Sequence, residues 1–87
     1  MANPPEVVIY STNVCPYCVA AKALLEKKGV SYREINVEND PAERRRLMER
    51  TGLRTVPQIY VGDRHIGGFD ELAELDRRGE LDPLLRP

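Results

Sequence analysis

The first apolar run is Val7-Val8-Ile9-Tyr10, rich in β-branched side chains and without polar alternation. Such a run predicts a strand buried on both faces. Ser11 to Val14 reads as a loop. From Pro16 to about Lys28 the chain turns to helix formers, with Val19, Ala20, Ala21, Lys22, Ala23, Leu24 and Leu25. Pro16 suits a first helical position, where its missing N–H costs nothing. Lys27-Lys28 followed by Gly29 is a stop signal, with positive charge at the negative end of the helix dipole. Ser31 to Val37 alternates apolar and polar residues and predicts a second strand. Asp40-Pro41-Ala42-Glu43 predicts a helix start, with Asp40 as N-cap, Pro41 at N1 and Glu43 at N3. This helix runs to Thr51 and ends at Gly52. Ala42, Leu47 and Met48 are its apolar residues, so most of its surface faces water.

Pro57 to Val61 predicts a third strand, and Gly62-Asp63 a tight turn into a short fourth strand, Arg64-His65-Ile66. Gly67-Gly68 is a break. Asp70 is then expected to cap a helix through Arg78, with Leu72 and Leu75 on one face. Glu74 and Arg78 are expected to pair at i,i+4, and Gly79 to end the helix. Leu81 to Pro87 reads as a tail packed through Leu81, Leu84 and Leu85, and Met1 to Glu6 as a loose arm. The order β-α-β-α-β-β-α makes the first two strands parallel with a right-handed crossover, and the last two antiparallel. An α/β fold follows, a mixed four-stranded sheet with helices on both faces. No repeat or linker interrupts the chain, and residues 1–87 are expected to form one domain.

Composition narrows the function. Lys+Arg number 13 and Asp+Glu 14, a net charge of -1, so no basic excess exists to hold a nucleic-acid backbone. Aromatics are 6% with no Trp, which leaves no base-stacking platform. No apolar run approaches the roughly 20 residues of a membrane span. Met1-Ala2-Asn3-Pro4-Pro5 has neither a basic n-region nor a long apolar h-region, so no secretory signal is expected. Two cysteines cannot form a multi-bridge scaffold. A cytoplasmic protein whose thiols serve chemistry is the expectation.

Both cysteines lie in Cys15-Pro16-Tyr17-Cys18, between a predicted strand and the N-terminus of a predicted helix. A thiolate there meets unpaired N–H groups and the positive end of the dipole, so its pKa falls. Cys15 stands at that end, exposed and activated. Cys18 lies one turn inward, more covered and within reach for a disulfide. A nucleophile with a resolving partner is the arrangement for thiol–disulfide exchange. The alternatives are half of a zinc site or two inert thiols. Zinc normally needs four ligands, and the chain offers one histidine, His65, and no second cysteine pair.

Tyr10 to Cys18, Thr55-Val56-Pro57 and Gly67-Gly68-Phe69-Asp70 together resemble the glutaredoxins, specifically the small bacterial dithiol type. The resemblance runs from Val7 to Leu85 and implies a thioredoxin-like fold. It implies a glutathione-dependent thiol–disulfide oxidoreductase that reduces glutathione mixed disulfides and protein disulfides. Glutathione is then the reducing co-substrate, and no metal is expected. Cys15 looks like the nucleophile that takes up the glutathionyl group. Cys18 looks like the resolving cysteine, needed for protein disulfides. Thr55-Val56-Pro57 resembles the loop whose proline is cis, with Val56 N–H and C=O pairing with the cysteinyl part of glutathione. Gly67, Gly68, Phe69 and Asp70 resemble the γ-glutamyl site, where helix N–H groups meet the carboxylate and Asp70 meets the ammonium. Asp70 also reads as a plain N-cap, and both roles are compatible. Tyr17 looks like a shield that lines the groove, or else an exposed surface aromatic.

Two positions depart from the family pattern, Thr12 and Phe69. Thr12 stands where many relatives carry Lys, leaving dipole and backbone N–H groups to stabilise the thiolate. Arg44 matches a position that often holds the glycyl carboxylate, but it belongs to the run Arg44-Arg45-Arg46, which also reads as a solvated face. Arg54 is a further candidate. Phe69 replaces a cysteine of many relatives. His65 reads as a hairpin residue, because a low-pKa Cys15 needs no separate base. Two other readings compete. A glutaredoxin-shaped thioredoxin usually shows a Trp-Ser-Gly-Phe-Arg-Pro-like segment where this chain has Gly67-Gly68-Phe69-Asp70. An iron–sulfur module is disfavoured by Pro16 after the first cysteine. The expected partners are glutathionylated or disulfide-containing proteins, with ribonucleotide reductase a family possibility. A monomer is the default.

Overall fold

A computed structural model describes residues 4–87. Its elements run β1 (Val7–Ser11), α1 (Pro16–Lys27), β2 (Arg33–Asn36), α2 (Pro41–Thr51), β3 (Gln58–Val61), β4 (Arg64–Gly67), α3 (Phe69–Arg77) and α4 (Leu81–Leu85). The sheet order is β2-β1-β3-β4. β1 pairs with β2 in parallel and with β3 antiparallel, and β3 pairs with β4 antiparallel. This is the mixed four-stranded sheet of a thioredoxin-like fold.

β1 lies inside the sheet, which explains its unbroken apolar run: alternate side chains enter different cores. Val7 and Ile9, with Ile59 and Val61 of β3, join Ala21 and Leu25 of α1, Leu72 of α3, and Leu81 and Leu85 of α4. Tyr10 and Tyr60 instead join Val37 and Leu47 of α2. Helices therefore cover both faces.

The local signals correspond to real contacts. Asp40 Oδ1 accepts the Glu43 N–H at 3.1 Å, and Gly52 closes α2 at φ 73°. Leu47 is the one fully buried side chain of α2. The second strand is shorter than the alternation predicts. β2 is an edge strand whose register with β1 spans Arg33 to Asn36, while Val37 leaves the strand and is buried in the core.

Four expectations change. The tail is a short helix, α4, because Leu81 and Leu85, one turn apart, both reach the core; Leu84 is only half-buried. Lys28 ties α4 back to the fold through Asp76 at 2.5 Å and Asp82 at 3.2 Å. The bond to Asp76 leads in holding the Lys28 pKa above its ordinary value. Arg78 pairs with Glu80, not Glu74; Glu74 pairs with Arg77 on the adjacent turn. Glu6 is not loose, since its carbonyl accepts the Gly62 N–H at 2.8 Å. The remainder of the expected arm, residues 1–3, lies outside the described residues. Finally, Asp70 is not the cap of α3, as its surroundings below make clear.

Deleting the fully buried Leu81 side chain should leave a cavity between α4 and the sheet. Leu81→Ala is expected to cost about 2–5 kcal/mol in urea unfolding, and Leu84→Ala much less. Equal losses would contradict the packing assigned to α4.

Candidate functional site

β1 ends at Ser11, and the loop behind it is pinned to the end of β2. The Asn13 N–H donates to Glu38 Oε1 at 3.1 Å, and Asn36 Nδ2 donates to Asn13 Oδ1 at 2.9 Å. Ser11 is fully buried and donates to Glu34 Oε2 at 2.5 Å, while Lys22 Nζ of α1 reaches the same oxygen at 3.1 Å. The Ser11 hydroxyl bond first, and Lys22 after it, hold the Glu34 carboxyl below its ordinary pKa, against the opposing effect of burial. Strand end, loop and helix start are thus tied together just before the cysteines.

Cys15 is the N-cap of α1, with extended backbone at φ -150° and ψ 95°. Its Sγ accepts the Cys18 N–H at 3.1 Å. Pro16 occupies N1, where no N–H is needed. The two cysteines form a disulfide, with Cα atoms 5.1 Å apart. Cys15 is partly exposed, whereas Cys18 is 1% exposed. The two sulfurs therefore differ in access.

The Val56–Pro57 peptide bond is cis. Cys15 Sγ lies 3.8 Å from the Val56 carbonyl oxygen. In the disulfide this is a contact without a proton; a Cys15 thiol would have an acceptor there. Beside it opens a cavity of about 320 Å³ lined by Tyr17, Thr55, Val56, Pro57, Gly68, Phe69, Asp70 and Glu71. Seven of these eight were expected from the sequence; Glu71 was not. Tyr17 is 62% exposed, and its ring lies 6.4 Å from that of Phe69.

Glu71 displaces Asp70 from its expected capping role. Gly68 is the N-cap of α3, and Glu71 Oε1 accepts its N–H at 2.7 Å. Asp70 sits at N2, two positions past the cap, so its exposed carboxylate is left facing the cavity. Gly67 makes this possible. Its φ is 115°, and a Cβ there would come 2.8 Å from Glu71 Oε1. The backbone angle strains any other residue there, and a side chain would also push the Glu71 carboxylate off its bond to Gly68.

The arginine run divides. Arg46 is occupied by Glu43 within α2 at 2.5 Å. Arg44 is absent from the cavity wall and donates to the Arg54 carbonyl at 3.4 Å, just before Thr55.

The glutaredoxin family model matches residues 7–66. The chain is 51% identical over 86 residues to glutaredoxin 3 of Escherichia coli K12, covering 99% of this chain and all of that one. The chain belongs to the glutaredoxin family. A glutaredoxin of Pseudomonas aeruginosa is 51% identical over 81 residues, covering 93% of this chain and 96% of that one. Among solved structures, the Brucella melitensis glutaredoxin superposes with a TM-score of 0.87 at 44% identity, over 98% of this chain and 92% of that one. A buckwheat glutaredoxin–glutathione complex superposes with a TM-score of 0.87 at 36% identity, over 93% of this chain and 76% of that one. Membership of the glutaredoxins makes the chain, in kind, a glutathione-linked thiol–disulfide oxidoreductase with a disulfide-forming cysteine pair.

Two predictions follow from the contacts around the cysteines. Glu71→Ala should cost about 0.5–2 kcal/mol in urea unfolding, and Asp70→Ala less; the reverse order would return the cap to Asp70. Because the Glu34 pKa is lowered in the fold, its contribution to stability is full above the ordinary carboxyl range and is lost as pH falls through the folded value. The stability gap between the wild type and Glu34→Gln should therefore shrink on acidification. A gap independent of pH would contradict the Ser11 and Lys22 contacts.

Proposed function

We propose that the chain is a glutathione-disulfide oxidoreductase in which Cys15 is the nucleophile and Cys18 the resolving thiol. The observation that supports it most is the unequal setting of the two sulfurs. Cys15 is reachable and caps a helix, while Cys18 is buried one turn inward. The Cys15 thiolate attacks the glutathione sulfur of a mixed disulfide. The client leaves as a thiol, and Cys15 carries the glutathionyl group. A second glutathione thiolate then attacks that group, releasing glutathione disulfide and restoring Cys15. With a protein disulfide, Cys15 first forms a mixed disulfide to the client. Cys18 attacks the Cys15 sulfur, releasing the reduced client and closing Cys15–Cys18, which two glutathione molecules reopen.

In this reading glutathione lies in the cavity beside Cys15. Its cysteinyl main chain pairs with Val56 in the manner of an added strand. Its γ-glutamyl carboxylate meets the N–H groups at the start of α3, and its ammonium meets Asp70. Tyr17 and Phe69 wall the groove, and Thr55 and Pro57 frame Val56. Arg44 acts on this site through the Arg54 carbonyl. The clients are cytoplasmic proteins carrying glutathionyl groups or disulfides, and a single domain does the work as a monomer.

Turnover of a glutathionylated peptide with glutathione as reductant tests this. Cys15→Ser should abolish turnover and Cys18→Ser retain it. Activity surviving in Cys15→Ser would overturn the assignment. Asp70→Ala should raise the KM for glutathione by about threefold to tenfold, the worth of one exposed charge-assisted hydrogen bond.

A further inference from the structure

The segment between α2 and β3 presents Val56 to Cys15, yet it belongs to neither a helix nor a strand. Its Thr55 carbonyl is held by a side chain. Gln58, the first residue of β3, is 1% exposed, and its Nε2 donates to that carbonyl at 2.8 Å and to Thr55 Oγ1 at 3.3 Å. A carbonyl can only accept, so the amide nitrogen must face Thr55 and the amide oxygen must face away. That oxygen lies 2.7 Å from His65 Nε2 on β4. An acceptor there requires a proton on Nε2, which fixes the tautomer of a neutral His65 ring. The ring is itself steadied, lying 5.0 Å from the Tyr60 ring, over which the Arg50 guanidinium sits at 4.4 Å.

We propose that Gln58 and His65 are positioning residues: His65 orients the Gln58 amide, and Gln58 fixes the Thr55–Val56 main chain beside Cys15 for the substrate thiol. The inference rests on the reading above, that glutathione pairs with Val56. Without the Gln58 amide, the Thr55 carbonyl and hydroxyl lose the buried side chain that ties them to β3, and water replaces it at this exposed residue. Val56 would then no longer be held ready, and ordering it would fall to the substrate. The consequence belongs to binding rather than to the chemical step at sulfur.

The test uses turnover of a glutathionylated peptide by the wild type, Gln58→Met, His65→Phe and the double variant. Methionine keeps the side-chain volume without donor or acceptor, and phenylalanine keeps the ring against Tyr60 without a donor. Thermal unfolding checks the fold of each, and His65, being exposed, supplies a variant that folds even where the buried one does not. Gln58→Met is expected to raise the KM about threefold to tenfold with kcat within about twofold, and His65→Phe to raise it about twofold to threefold. Because His65 acts through Gln58, the double variant should match Gln58→Met alone. Amide hydrogen exchange at Val56 should quicken in every variant. An unchanged KM and unchanged Val56 exchange in folded variants would overturn the proposal, as would a double variant whose effect is the product of the singles. If the wild type does not turn over, the glutathione reading fails, and Val56 exchange still decides whether the relay holds the segment.

Discussion

A helix cannot satisfy its own first N–H groups, and in this chain the atom that meets one of them is the sulfur of Cys15. Much of the fold serves to bring that sulfur to that position. β1 lies inside the sheet and ends on a buried serine. The loop after it is pinned to β2, and Pro16 starts the helix without a wasted donor. A thiol so placed shares an N–H with its partner and faces the positive end of a twelve-residue helix. Both effects favour the thiolate over the thiol. His65 is occupied elsewhere, against Gln58.

The second constraint is convergence at one end of the sheet. The α2–β3 segment and the start of α3 form the wall beside Cys15 from residues remote in sequence. Each is held by a side chain rather than a ladder. Gln58 holds Thr55, Arg44 reaches the Arg54 carbonyl, and Glu71 closes the Gly68 N–H. Glu71 takes the cap and so leaves Asp70 free beside the cavity, a division of labour between neighbouring carboxylates. Gly67 permits it, since a side chain there would meet the Glu71 carboxylate.

Local signals made most of the fold legible. Asp40-Pro41-Ala42-Glu43 states a helix start completely, because cap, N1 and N3 are contacts within four residues. Val7 to Tyr10 states a buried strand, because two cores each take alternate side chains. The cysteine pair was legible because its chemistry depends on the next turn of its own helix. What was not legible depends on distant partners. Leu81 and Leu85 form a helix only because a core awaits them. Asp70 and Glu71 both suit a cap by type, and the turn at Gly67 chooses between them. Gln58 reads as a strand polar residue until the loop before it and β4 beside it are in place. Arg44, Arg45 and Arg46 are alike in sequence, and only Glu43 and the Arg54 carbonyl tell two of them apart.

The central claim is that the start of α1 activates Cys15 and leaves Cys18 in reserve. It is tested most directly by the pH dependence of alkylation of each thiol in the reduced protein, with iodoacetamide and site-resolved detection. The expected result is a Cys15 pKa well below the free-thiol value of about 8.5, with Cys18 slower to react across the same range. A Cys15 that titrates like a free thiol, or a Cys18 that reacts first, would contradict it.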